Sequence, residues 1–234
     1  MPGKAGKCII LVFLICLAPA AWALDTAPYE LTGEYWTVLD PLFTRKLDLT
    51  TTPEELEEAK ERAVEELLEE VRYLLSGQIY GFTFAYTPSD KARTVEEDFI
   101  VEPIARIPRG DGNLRVREAD IEEDVLTLLV RYHLDEYQRA RIERWMTNTL
   151  PSSTGDGSAD YFLEGAQGRL EAVRRGIKEA VRNYLRKREF NKPKRIEGRV
   201  LLLETPRLFF AGGQYVARVR VKLDIEDIER YETF

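Results

Sequence analysis

Arg174, Lys178, Arg182 and Arg186 recur every four residues within a stretch of helical apolar spacing, so one helix face carries four cations. Such a stripe suits an anionic partner: a phospholipid headgroup, a wall polymer or an acidic protein surface. The alternative is neutralisation, by solvent or by an acidic helix bearing Glu54, Glu57, Glu58, Glu61, Glu65 and Glu69 alongside it. A second grouping is aromatic. Tyr80, Phe82, Phe84 and Tyr86 alternate with Ile79, Gly81, Thr83 and Ala85 in strand periodicity. Together they either fill a core beneath a long helix or line an apolar pocket between sheet and helices.

The remaining reactive side chains are scattered. His133 is the single histidine, with no neighbouring serine, cysteine or second ligand in its segment, and is expected to be a surface or satisfied residue. Asp156, Asp160 and Glu164 surround Gly157, but their spacing is not that of a calcium loop, and a polar segment capping the next helix accounts for them. Acidic residues are too common for any carboxylate pair to stand out. The sequence therefore assigns no catalytic, cofactor-binding or metal-ligating residues, and no cofactor.

Among 234 residues, 44% are hydrophobic and 32% charged, with two cysteines. This composition excludes a disordered chain and a disulfide-stapled miniprotein. Lys4 and Lys7 precede an apolar run from Cys8 to Ala18, and Ala21-Trp22-Ala23 ends the segment in a small-x-small pattern. These are the three parts of a secretory signal peptide spanning 1–23, and the run is too short to cross a membrane. A mature chain starting at Leu24 would be cysteine-free, periplasmic or secreted, and without a transmembrane span.

Charge is uneven. From Leu24 to Leu128 there are 25 acidic and 11 basic residues, against 16 and 21 from Leu129 onward. A net charge of −7, together with export, argues against nucleic acid as a partner.

The elements that must position these groups follow from periodicity. Pro53 to Ser76 reads as a helix, with a capping box from Thr52 and Glu55, an apolar stripe from Leu56 to Leu74, and Gly77 as its stop. Strands are expected at Glu30 to Leu39, from Tyr80 to Tyr86, and from Glu97 to Ile107, where Pro103 restricts the last to an edge. Val125 to Leu134 alternates as a strand with one covered face, and a helix follows from Asp135 to Met146. Pro151 to Ala159, rich in Ser and Gly, reads as a mobile loop before a long helix from Asp160 to Glu189. Strands beginning at Gly198 and Tyr215 flank a hairpin turn at Gly212-Gly213.

The order strand, helix, strand, strand thus occurs twice, in units spanning 24–110 and 111–234 that form either two domains or one. The expected fold is α+β, an antiparallel sheet with helices on one face. The helix from Glu58 through Ala63 to Leu74, passing Gly77 into a strand, resembles the small lipoprotein-type domains of bacterial envelope and flagella-associated proteins. That resemblance implies a non-catalytic envelope assembly module and supplies no catalytic residues. The expected function is an exported binding, assembly or scaffolding protein with an envelope protein or anionic envelope surface as partner. A carrier or enzyme with an apolar pocket is the alternative.

Overall fold

The acidic periodicity forms α1, Pro53–Ile79, in a computed structural model that describes residues 29–38, 53–122, 125–164 and 167–231. The segment expected to direct export and the capping residue Thr52 lie outside the described residues. Leu67, Val71, Leu74 and Leu75 are buried, as spacings of three and four demand. Gly77 does not stop the helix. It lies within it, where a Cβ would stand 2.2 Å from Phe82 Cε2, so its smallness lets α1 approach the following strand. The chain turns instead at Gly81, whose φ of +80° favours glycine.

Among the described residues, nine strands follow from the remaining patterns. β1 is Glu30–Val38, β2 Phe82–Thr87, β3 Asp98–Pro103, β4 Leu114–Glu122 and β5 Val125–His133. Pro103 ends β3, which is an edge strand. After β5 comes α2, Glu136–Trp145, opened by a reciprocal capping box between Asp135 and Gln138. β6 is Ser152–Asp160, α3 is Tyr161–Glu164 and α4 is Gly168–Leu185, so the expected long helix is interrupted. β7 (Arg195–Leu202), β8 (Arg207–Ala211) and β9 (Gln214–Glu229) complete the order, with positive φ at both Gly212 and Gly213 in the hairpin turn.

The strands form two antiparallel sheets, and the fold is α+β. One has six strands in the order β3-β2-β7-β9-β6, with β8 also paired to β9. The other is β1-β5-β4. Register sets Phe82, Phe84 and Tyr86 beside Val200, Gly198 and Ile196, and carries that face through Leu223 and Val221 on β9 to the small residues of β6. Both long helices cover this one face: Gly77 of α1 meets Phe82 and Leu202, while Gly176 of α4 meets Ala217 and Val219. Each sheet draws strands from both sides of residue 110, and both contribute to one hydrophobic core. The expected second unit also differs, because β5 pairs with β1 and the strand before the basic helix is β6.

Pro151 to Ala159 is not a mobile loop; it is mostly β6, paired with β9 from Ser152↔Lys222 to Asp160↔Gln214. Its glycines mark close approach rather than disorder. A Cβ on Gly157 would lie 2.1 Å from Gly176 N and 2.2 Å from Ala172 O, and one on Gly155 2.3 Å from Ala180 N. Ala172, Gly176 and Ala180 are themselves spaced by four, so a smooth helix face lies directly on a smooth strand. Side chains of α4 also occupy β6 carbonyls: Asn183 Nδ2 donates to Thr154 O at 3.1 Å and Arg175 Nη1 to Ser158 O at 2.8 Å. These donors cover an otherwise open sheet edge.

Candidate functional site

Three of the four stripe cations lie on α4, Arg186 directly follows its last residue, and all four reach a carboxylate. Lys178 Nζ donates to Glu97 Oε2 at 2.7 Å, and Arg182 Nη1 to Glu179 Oε2 at 3.0 Å. Arg174 stands 3.9 Å from Glu171 and over the Tyr73 ring. The neutralising carboxylates are chiefly those of α4 itself and the segment before β3, not those of the acidic helix α1. Arg186 also reaches Glu179, at 3.3 Å, yet is more than half exposed. It opens onto a second group of cations.

That group lines a cleft of about 640 Å³ between the end of α4 and the start of β6, with Arg186, Lys187, Arg188 and Arg220 on its walls. Arg220 arrives through strand register, directly opposite Thr154. Arg188 stacks over Tyr184 at 4.7 Å, a contact that holds the guanidinium without neutralising it. Among the described residues, Lys187 and Arg220 have no carboxylate partner. The helix C-terminus contributes some of the compensating negative field. The sequence signal was a four-residue repeat along α4; the free charge instead collects across a helix end and a strand, where no single periodicity links the residues.

The aromatic group divides. Phe82, Phe84 and Tyr86 are buried at 4% exposure or less, with Phe82 against Tyr73 and Phe84 and Tyr86 against Phe99. Tyr80 precedes β2, and its hydroxyl accepts from Gln138 Nε2 at 2.7 Å. Tyr86 reaches a surface cleft, which it shares with Glu97, Arg182 and Phe190. There its hydroxyl donates to Glu97 at 2.8 Å. Burial, then this hydrogen bond, pushes the Tyr86 hydroxyl well above its ordinary range. Burial opposes ionisation of Glu97, but the hydrogen bonds from Lys178 and Tyr86 outweigh it and hold the carboxyl low.

The acidic trio does not converge. Asp156 forms a two-bond fork with Arg218 at 2.8 and 2.9 Å, which holds its carboxyl below the usual range. Asp160 accepts from Leu163 N at 3.1 Å as a cap of α3, and Glu164 pairs with Arg175. His133 is exposed at the end of β5, 3.9 Å from Glu30.

One cluster gave no sequence signal. Arg169, 2% exposed, makes two hydrogen bonds to Glu70 of α1 at 2.8 and 3.0 Å and lies over the rings of Trp36 and Tyr215. Glu70 is 99 residues away in the chain, so no spacing connects the pair. It joins α1 and α4 to one strand from each sheet.

The fold and these clefts define an α+β protein of two antiparallel sheets with surface basic sites. A model of an uncharacterised protein family matches residues 23–231, and the chain belongs to that family. A relative described as an uncharacterized protein, from Treponema pallidum (strain Nichols), is 29% identical over 162 residues, which is 69% of this chain and 68% of the relative. No solved structure matches.

Proposed function

We propose that this is an exported, non-catalytic binding module of the cell envelope, and that it engages an acidic protein or anionic envelope surface through the end of α4. The observation that carries this reading is the cleft in which Arg186, Lys187, Arg188 and Arg220 share, among the described residues, a single ion pair to a carboxylate, from Arg186 to Glu179. On a chain with a net charge of −7, such a concentration of positive charge attracts a partner by long-range steering. The export-type N-terminus supports the envelope setting, and the family match begins at residue 23, at the end of that segment. No helix of the described residues is long and apolar enough to cross a membrane.

The test compares two charge-matched variants in sedimentation with envelope fractions. Lys187→Gln/Arg188→Gln/Arg220→Gln should weaken association by about tenfold or more, with a salt dependence to match. Arg174→Gln/Lys178→Gln/Arg182→Gln should change it far less, because those cations are already paired. Equal losses, or none in the first variant, would refute the reading. Repeating the assay with protease-stripped membranes separates a protein partner from a lipid or polymer surface.

A further inference from the structure

The exposed face of the small sheet holds a second cluster of cations, remote in the chain from the α4 cleft. Strand register brings Arg115 of β4 directly opposite Arg131 of β5, with Thr32 on the other side of Arg131 and Glu30 opposite His133. Like charges directly opposite on a sheet repel, so this pairing costs stability unless something negative lies between them.

A β-bulge adds a third guanidinium. The register shifts between Val116 and Glu118, so Arg117 is the unpaired extra residue of β4. Without the bulge, alternation would send Arg117 and Arg115 to the same face while moving Ala119 and Ile121, but not Val116, out of phase with the apolar side of β5. With it, Ala119 and Ile121 stay opposite Leu128 and Leu126, and Arg117 still lines the cleft with Arg115, Arg131 and His133. Bulges commonly re-aim a side chain in this way.

The cleft has a volume of about 290 Å³, and Gly112 and Asn113 of the turn before β4 also line it. Among the described residues Glu30 is the sole carboxylate lining it, and it stands 3.3 Å from Arg131 Nε. Even so, that nitrogen is buried and has no hydrogen-bond partner among the described residues. Arg115 and Arg117 are exposed, and neither is paired with a carboxylate among the described residues. Three guanidinium forks converging on a walled cleft, with one buried donor unsatisfied, match the several outward oxygens of a tetrahedral oxyanion.

The geometry points to a phosphate-binding site built from Arg115, Arg117 and Arg131, with His133 at its rim. The ligand is a phosphate group, free or carried on a small polar molecule or lipid head. Its oxygens take the forks of Arg115 and Arg131, relieve their mutual repulsion and satisfy the orphaned Arg131 Nε. This site is independent of the α4 cleft, and either can fail without the other.

The mature chain is titrated with inorganic phosphate and pyrophosphate by calorimetry, with chloride at matched ionic strength as the control. In parallel, phosphatidylglycerol vesicles are tested against neutral phosphatidylcholine vesicles. Saturable phosphate binding above the chloride background is expected, weakened about tenfold or more in Arg115→Gln/Arg117→Gln. Both side chains are exposed on an edge strand, so without phosphate the variant should keep the wild-type circular dichroism spectrum and melt no lower than the wild type, since the repulsion between Arg115 and Arg131 is relieved. Lys187→Gln/Arg188→Gln/Arg220→Gln serves as the control that leaves phosphate binding intact. Vesicle binding lost in the arginine variant, with weak free phosphate binding, supports the site and assigns the phosphate to a lipid head. No response to phosphate, pyrophosphate or anionic vesicles would overturn the proposal, as would binding unchanged in Arg115→Gln/Arg117→Gln.

Discussion

Replacing Arg169 by methionine tests the joint between the two sheets. The native guanidinium and the Glu70 carboxylate are 2% and 7% exposed, and two hydrogen bonds of 2.8 and 3.0 Å bind them. Methionine fills much of the volume but leaves the carboxylate buried without its partner, a change that costs about 3–5 kcal/mol. Loss of the guanidinium from above Trp36, 4.6 Å from its ring, removes a further contribution of about 0.5–2 kcal/mol. With a urea dependence of about 1–3 kcal/mol per molar, the unfolding midpoint should fall by at least about 1 M. Trp36 fluorescence follows both the loss of stacking and the transition. The reciprocal variant Glu70→Leu, which strands the arginine instead, should lose a similar amount. Glu70→Leu/Arg169→Met should lose less than either, because no isolated charge remains. Single losses under about 1 kcal/mol, or a double variant whose loss equals the sum, would refute the reasoning.

Gly157→Ala should destabilise by more than the usual 1–3 kcal/mol of overpacking, because the added Cβ meets backbone atoms of α4 at 2.1 and 2.2 Å; thermal melting checks this. Gly112→Ala in the β4 turn, where a Cβ meets nothing within 4 Å, is the matched control and should stay within about 0.5 kcal/mol. Tyr35, Tyr73, Tyr86, Tyr132 and Tyr215 all have hydroxyls raised chiefly by burial, that of Tyr132 to about 12. In the unfolded chain they ionise near pH ~10, so their stabilisation is complete below that value and is lost as pH rises through the folded values. Urea midpoints should therefore fall between about pH 9 and 12, with tyrosinate absorbance appearing together with unfolding rather than before it.

Periodicity made the helices, β5 and β9 legible, because each buries one regular set of apolar side chains. Pro103 and Gly212-Gly213 were legible for the local reasons that restrict proline and favour glycine. β6 was not, since Gly155, Gly157 and Ala159 are small in order to meet a helix, and small residues between serines carry the same composition as a loop. β4 was hidden for the opposite reason: it is an edge strand exposed almost throughout, with no apolar alternation to mark it. Pairing between β1 and β5 depends on tertiary closure rather than local pattern, and it decided that β6, not β5, precedes α4 in the large sheet. The candidate sites follow the same logic. Arg186 was visible on a helical repeat, whereas Arg220, Arg115, Arg117 and Arg131 come together only through register and a bulge.

Among the described residues the acidic and basic halves of the chain meet at few ion pairs: Glu70 with Arg169 in the interior, and Glu97 with Lys178 and Glu30 with Arg131 at the surface. Most other α4 cations use carboxylates within the same helix, where pairs three or four residues apart form without cost in chain closure. Local neutralisation along the helix confines the unmatched charge to its end, where the i+3 and i+4 partners run out. On the small sheet the same shortage arises from pairing, because β4 faces Arg131 with Arg115 rather than with an acid. An overall negative chain therefore carries two positive clefts whose charge is set by geometry. Substituting the exposed α1 residues Glu57 or Glu58, which line neither cleft, should alter the net charge and the rate of association with an anionic partner, but leave the equilibrium affinity of either proposed site nearly unchanged at physiological salt, as stopped-flow and calorimetric titration would show.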